Sequence, residues 1–290
     1  MKKILTFASA VVVFFTLASW TTFGYDSQTV EPDRNITTRN VTASGFTNLS
    51  ASRSANVVYR VSSSKEGVEV SAPANYQEFV VVKKEGSTLS VSIEAESKRI
   101  KSDLITVNVY GRNVDNFTAT KSADIKIKSA ITCPTLNFTA ESSGDIEAQA
   151  VTCNVAYINA KSSGDIEVGN LTVNDNAAAN IAAESSGDIE IKRLNAFTAN
   201  VVAQSSADIE IGLLKATTAN LSARSSGEIS AEGSCTQANL EASSSGEIKA
   251  GKLHAQKGTM QASSSSSIRC NVASVISSQK SSGGSITNMH

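Results

Sequence analysis

The chain has 290 residues, and its 26 basic and 27 acidic side chains leave a formal charge of −1. So even a balance recruits no nucleic acid, which binds through a surplus of Lys and Arg. Only two histidines and four cysteines are present, so His-rich metal centres are excluded, while the length allows a large core.

Met1-Lys2-Lys3 followed by an apolar run over 4–15 predicts a secretory signal peptide, too short to span a bilayer. Cleavage after Gly24 is preferred to cleavage after Ala18. Removing Lys2 and Lys3 from the 26 bases leaves 24 against 27 acids in the mature chain. The first cysteine is Cys133, so the exported protein is expected not to be a lipoprotein. No later apolar run reaches spanning length, so it is not expected to be an integral membrane protein. Residues 25–40 are read as a mobile leader.

The β-helix domain is expected over 41–290, with irregular coils or hairpins over 41–115 and regular coils over 116–290. Asn48, Leu49, Ala51, Ala55 and Val57 share the offsets of Asn137, Phe138, Ala140, Gly144 and Ile146, which makes the first segment a coil. Strand-like runs follow over 68–70, 79–82, 89–93 and 104–109, with turns at Lys65-Glu66-Gly67 and Lys84-Glu85-Gly86. Tyr59, Tyr76 and Tyr110 are the aromatics that could form a local site there.

From Ile125 onward an isoleucine returns at 146, 166, 189, 209, 229, 248, 268 and 286, each after a small-residue turn such as Ser143-Gly144-Asp145. The intervals, 18 to 23 residues, mark a solenoid. Other columns keep step. Phe117, Phe138, Ile158, Ile181, Val201 and Leu221 stand eight places before their isoleucines, and an alanine stands six before. Spacing by two is the strand period, and no window carries the i, i+3, i+4, i+7 pattern of a helix. The fold class is therefore all-β, a single-stranded parallel β-helix with coils of about 20 residues. At about 4.8 Å per coil the regular part spans roughly 40 Å. Asn116, Asn137, Asn180, Asn200, Asn220 and Asn239 form a further column, read as a structural amide ladder.

The Ser-Ser-Gly-Asp-Ile units, preceded by an apolar-x-Ala pair, resemble the putative auto-transporter adhesin family with the head GIN domain, common in Bacteroidetes. The similarity covers about residues 40–288. It implies a right-handed β-helix, a cell-envelope location and an adhesin role, and it supplies no catalytic residues.

Residues flanking each inward isoleucine must point outward. Asp145/Glu147, Asp165/Glu167, Asp188/Glu190 and Asp208/Glu210 therefore form two carboxylate ladders. Clustered oxygens suit a hard cation, so Ca²⁺ is the one cofactor the ladders suggest. The plainer reading gives the acids to solubility and to hydrogen bonds with their own turns.

Cys133, Cys153 and Cys235 each stand thirteen residues before an isoleucine. Cys133 and Cys153 then lie on adjacent coils, where a disulfide or two small packed thiols would fit. No Ser-His-Asp order, phosphate loop or His cluster is present, and His254 reads as a surface residue.

The chain is thus expected to be no enzyme but an exported protein of the periplasm, outer surface or medium. Its repetitive surface would bind a glycan or protein at the cell surface, and end-to-end homodimers through uncovered coil edges are expected. The alternative is an exported polysaccharide lyase or hydrolase with its site in the loops of 60–115.

Overall fold

Each coil closes through one tight corner, and the corner follows from its residues. In Glu141-Ser142-Ser143-Gly144 both serines adopt positive φ, +54° and +59°, and the Gly144 amide donates to the Glu141 carbonyl over 3.1 Å. Two successive positive φ values with this bond make a type I′ turn. The same pair of angles returns at Ser162/Ser163, Ser185/Ser186, Ser205/Ser206, Ser225/Ser226, Ser244/Ser245 and Ser264/Ser265. Left-handed backbone costs a non-glycine residue about 1 kcal/mol or more. Hydrogen bonds between corners offset it, as from the Ser143 amide to the Ser162 carbonyl and from the Ser186 amide to the Ser205 carbonyl, both 3.2 Å.

The residue after the serines is glycine for closeness, not for its φ. A Cβ on Gly164 would lie 2.5 Å from the carbonyl carbon and oxygen of Ala140 on the preceding coil. Ala123 and Ala207 hold the same place in their coils, fully buried, so the stack can yield there. Ser266 holds it too, and its buried hydroxyl donates to the Ala242 carbonyl at 2.8 Å.

A computed structural model describes residues 28–112, 114–174 and 176–290. The expected signal peptide, 1–24, lies outside them. The described chain is a β-solenoid of about nine turns. Its first strands are β1 (Ile36–Val41), β2 (Asn48–Ser52), β3 (Asn56–Val61), β4 (Gly67–Pro73), β5 (Val80–Glu85), β6 (Thr88–Ile93) and β7 (Thr106–Gly111). Short coil pieces β8 (Asn116–Thr120), β9 (Asp124–Ile127) and β10 (Ile131–Glu141) follow. The long coils are β11 (Asp145–Lys161), β12 (Asp165–Val173) with β13 (Ala178–Glu184), β14 (Asp188–Gln204), β15 (Asp208–Arg224), β16 (Glu228–Ser243), β17 (Glu247–Ala262) and β18 (Ser267–Lys280). β19 (Ser285–Asn288) ends the series. The coil of β12 and β13 is interrupted where the isoleucine interval grows to 23 residues, the surplus falling between the two strands.

All the coil pairings are parallel, and their register reproduces the sequence columns. Ile125, Ile146, Ile166, Ile189, Ile209, Ile229, Ile248, Ile268 and Ile286 are successive partners. β2 joins as expected, with Asn48 opposite Asn116 and Leu49 opposite Phe117. Alternate residues point inward, so one continuous core runs from Ala43 to Val272. It is aromatic near its start, with Tyr59 and Phe117 ring centroids 5.2 Å apart and Phe117 and Phe138 5.5 Å apart, and aliphatic beyond.

The amino-terminal part differs from a plain coil. β1 pairs antiparallel with β4, β4 with β7, and β5 with β6, and a 3-10 helix spans Ala74–Phe79. Residues 36–40, assigned from sequence to a mobile leader, are strand: Arg39 in β1 donates to the Val80 carbonyl at 2.7 Å. The leader's pattern is hidden because its partner lies some thirty residues away and belongs to no repeat.

Candidate functional site

Three faces of the solenoid run parallel to its axis, and each carries a groove between two columns of outward side chains. Along the first face one column reads Asp124, Asp145, Asp165, Asp188, Asp208, Glu228 and Glu247. The other reads Lys126, Glu147, Glu167, Glu190, Glu210, Ser230, Lys249 and Arg269. The structure thus brings all eight expected acids together, and it adds cations at both ends of the glutamate row. Lys128 pairs with Glu147 at 3.0 Å, and Lys192 and Lys249 pair with Glu167 and Glu228.

One carboxylate of the column, that of Asp188, reaches the backbone of the next coil. The Asp208 amide donates to Asp188 Oδ1 at 3.3 Å, while the Asp165 and Asp188 amides donate to the Gly144 and Gly164 carbonyls at 3.1 and 3.2 Å. Partial withdrawal from water, then repulsion by Asp165 and Asp124, pushes the Asp145 carboxyl above its ordinary range. Asp165 and Asp208 rise for the same first reason, followed in each by repulsion from Asp188. Among the described residues no group of three or more His, Cys, Asp or Glu side chains is arranged to hold a metal ion.

The second face escapes the sequence reading. Its inward pairs are Val151/Cys153, Leu171/Val173, Leu194/Ala196, Leu214/Ala216 and Leu253/Ala255, all but the half-buried Ala216 fully interior. Asn195, Lys215, Ser234 and His254 form one outward column in register. Phe197, Thr217, Thr236 and Gln256 follow two residues later in their coils. The groove between them has a volume of about 910 Å³. The Asn271 amide lies 2.9 Å from His254 Nδ1. With Asn271 as donor, the ring's Nε2 is left as its own donor. The leucine five places after Ile166, Ile189, Ile209 and Ile248, with Val151 in that place after Ile146, is the signal that would have revealed this face. It fails in β16, where the register slips by one residue and Gly233, four places after Ile229, stands opposite Leu214 with φ +122°, a conformation L side chains rarely adopt.

The third face carries the amide ladder. Asn200 donates to Asn180 at 2.9 Å, and Asn220 to Asn200 and Asn239 to Asn220, both at 2.8 Å. The Thr259 hydroxyl ends the chain on Asn239 at 3.0 Å. Tyr157 interrupts the column.

Cys133 and Cys153 are register partners on β10 and β11, as their spacing predicts, and their thiols are free. Burial first, then the proximity of Cys153, pushes the Cys133 thiol to about 12. Burial takes Cys153 and Cys235 to about 11. Cys235 stands between Ala216 and Ala255 on the adjacent coils.

The three tyrosines form no surface site. Tyr59 and Tyr76 lie in the core, donating to the Gly111 carbonyl at 3.1 Å and the Val30 carbonyl at 2.6 Å. Tyr110 donates to Glu69, which Lys65 also holds. Those two hydrogen bonds, Lys65 first, keep the Glu69 carboxyl below its usual range, the wrong direction for a general acid.

A filled, regular solenoid with three repetitive faces places the chain in the class of β-solenoid proteins. Within it, the chain belongs to the family described as putative auto-transporter adhesin, head GIN domain, which matches residues 45–179 and again 169–289. Among solved structures, a putative lipid binding protein from Parabacteroides distasonis is 18% identical, with a TM-score of 0.64, covering 89% of this chain and 99% of its own. A putative adhesin from Parabacteroides merdae is 17% identical, with a TM-score of 0.64, covering 91% and 100%. A second putative adhesin from P. distasonis reaches a TM-score of 0.52 at 16% identity, covering 89% and 99%. No curated protein matches the chain.

Proposed function

We propose that the chain is a non-enzymatic, exported protein of the cell envelope or surface, adhesin-like, that binds through its repetitive faces. The observation that carries this reading is the even register of the chemistry-bearing groups. The carboxylates of the first face recur coil by coil, so none of them is set apart from its neighbours as a catalytic acid or base would be. Family membership supports the same reading. The lipid label of one relative gains no support from the interior, whose columns are filled by side chains.

Two measurements test the proposal. Purified chain on immobilised glycans and on intact cells should bind without releasing reducing ends or unsaturated products. Turnover of any polysaccharide would sink the non-enzymatic half. Protease digestion of intact cells should remove the protein if it faces outward, and protection would restrict it to the periplasm.

A further inference from the structure

We propose that the groove of the second face is a glycan-binding cleft for an extended, hydroxyl-rich chain that carries acidic sugars. The inference rests on the binding role above and assigns it a face and a ligand class.

Charge separates this groove from the other two. The first is lined by the acidic columns, and the third includes Glu241. No carboxylate lines the second, whose one fixed charge is Lys215. An acidic polymer is repelled by the first face and accepted by the second. A single lysine is far too little for nucleic acid.

The walls otherwise present hydroxyl, amide and imidazole groups, which donate and accept the hydrogen bonds that sugar hydroxyls need. They stand at the coil spacing of about 4.8 Å, so an extended ligand meets a polar side chain at each successive step, although their identities differ from coil to coil. Phe197 supplies the one exposed aromatic surface of the groove, 42% accessible, while Thr217, Thr236 and Gln256 hold the corresponding places in the next coils. The C–H face of a pyranose packs against the electron-rich face of such a ring.

A protein strand is the poorer occupant. The backbone groups here are already spent on the neighbouring coils, so no edge is open for strand addition. The floor of small buried residues, Val173, Ala196 and Cys235, also offers no apolar pocket for a side-chain anchor.

The test uses the full chain and two probes, a hyaluronan hexasaccharide and neutral cellohexaose, followed by saturation-transfer NMR and calorimetric titration. The hyaluronan fragment should bind. Phe197→Ala should weaken it up to about tenfold, the range of one aromatic contact. Lys215→Gln should weaken the acidic fragment and leave cellohexaose unchanged, and Glu190→Gln on the first face should leave both unchanged. Circular dichroism and the melting midpoint should match the parent, since both altered side chains are exposed. The proposal is overturned if the hyaluronan fragment does not bind, or if binding survives both groove substitutions intact. Loss through Glu190→Gln equal to that through Phe197→Ala would overturn it as well. A chain that still binds cells while failing these titrations would overturn the groove assignment and leave the adhesin-like reading standing.

Discussion

Asn220 stands between Asn200 and Asn239 on adjacent coils, donating to Asn200 Oδ1 and accepting from Asn239 Nδ2, each over 2.8 Å. The three amides are half-buried, so each bond is partly shielded from competing water. Asn220→Ala breaks two bonds and strands one donor and one acceptor. The expected loss is about 2 kcal/mol, read as a lower urea midpoint. Asn220→Thr should lose less, because Thr259 already donates to Asn239 in the same column. Equal losses for the two variants would show that the ladder bonds contribute little.

The corner serines carry strain that a better turn sequence relieves. Ser162 and Ser163 occupy φ +51° and +60°, where Asn-Gly is the favoured pair of a type I′ turn. The double substitution Ser162→Asn, Ser163→Gly should stabilise the chain by about 1 kcal/mol, the relief of left-handed backbone less the added entropy of glycine. Gly164→Ala one residue later should do the opposite, by about 1–2 kcal/mol, because its Cβ meets the Ala140 carbonyl and the coil must shift. Chemical denaturation of the three proteins side by side gives both signs.

Columns legible in the sequence are those that in-register stacking turns into contacts. Ile146 and Ile166 repeat because they touch, and the same holds for Asn200 and Asn220. The carboxylate columns were legible for that reason, but not the lysines that end them, since Lys126 and Lys249 break the repeat. The second face was hidden because Gly233 interrupts its leucine column and coil length varies near it. Tyr59, two places after Val57 and in register with Ile127, follows the repeat, but β1 and the interior place of Tyr76 were hidden for a deeper reason. Their partners Val70 and Val30 are set by contacts that occur once, so no periodicity reports them.

Acidification should stabilise the first face. The Asp145, Asp165 and Asp208 carboxyls are raised in the folded state, so over the window between their unfolded and folded values the folded chain binds more protons. Stability from these groups therefore falls as pH rises through that window and is regained as pH drops toward the ordinary aspartate range. Asp165→Asn should raise the melting midpoint at pH 7 and flatten its rise on acidification, and added salt should shrink the difference by screening. A parent midpoint that falls steadily from pH 7 to about pH 4, the ordinary aspartate range, with Asp165→Asn tracking it, would contradict the assignment.

Thiol chemistry offers a check on the interior of the second face. Cys153 and Cys235 are buried with values near 11, and Cys133, half-buried, is near 12. At pH 8 a thiol near 11 is ionised to only about one part in a thousand, against roughly a quarter for an ordinary cysteine, and the thiolate is the reactive form. Iodoacetamide should therefore label the native chain at least about a hundredfold more slowly than the urea-unfolded chain. The native rate should climb about tenfold per pH unit up to pH 10, provided the fold persists. Mass spectrometry of the labelled peptides separates the sites. A native rate at Cys235 equal to the unfolded rate would mean that the coil opens there and that the groove floor is not the closed surface described above.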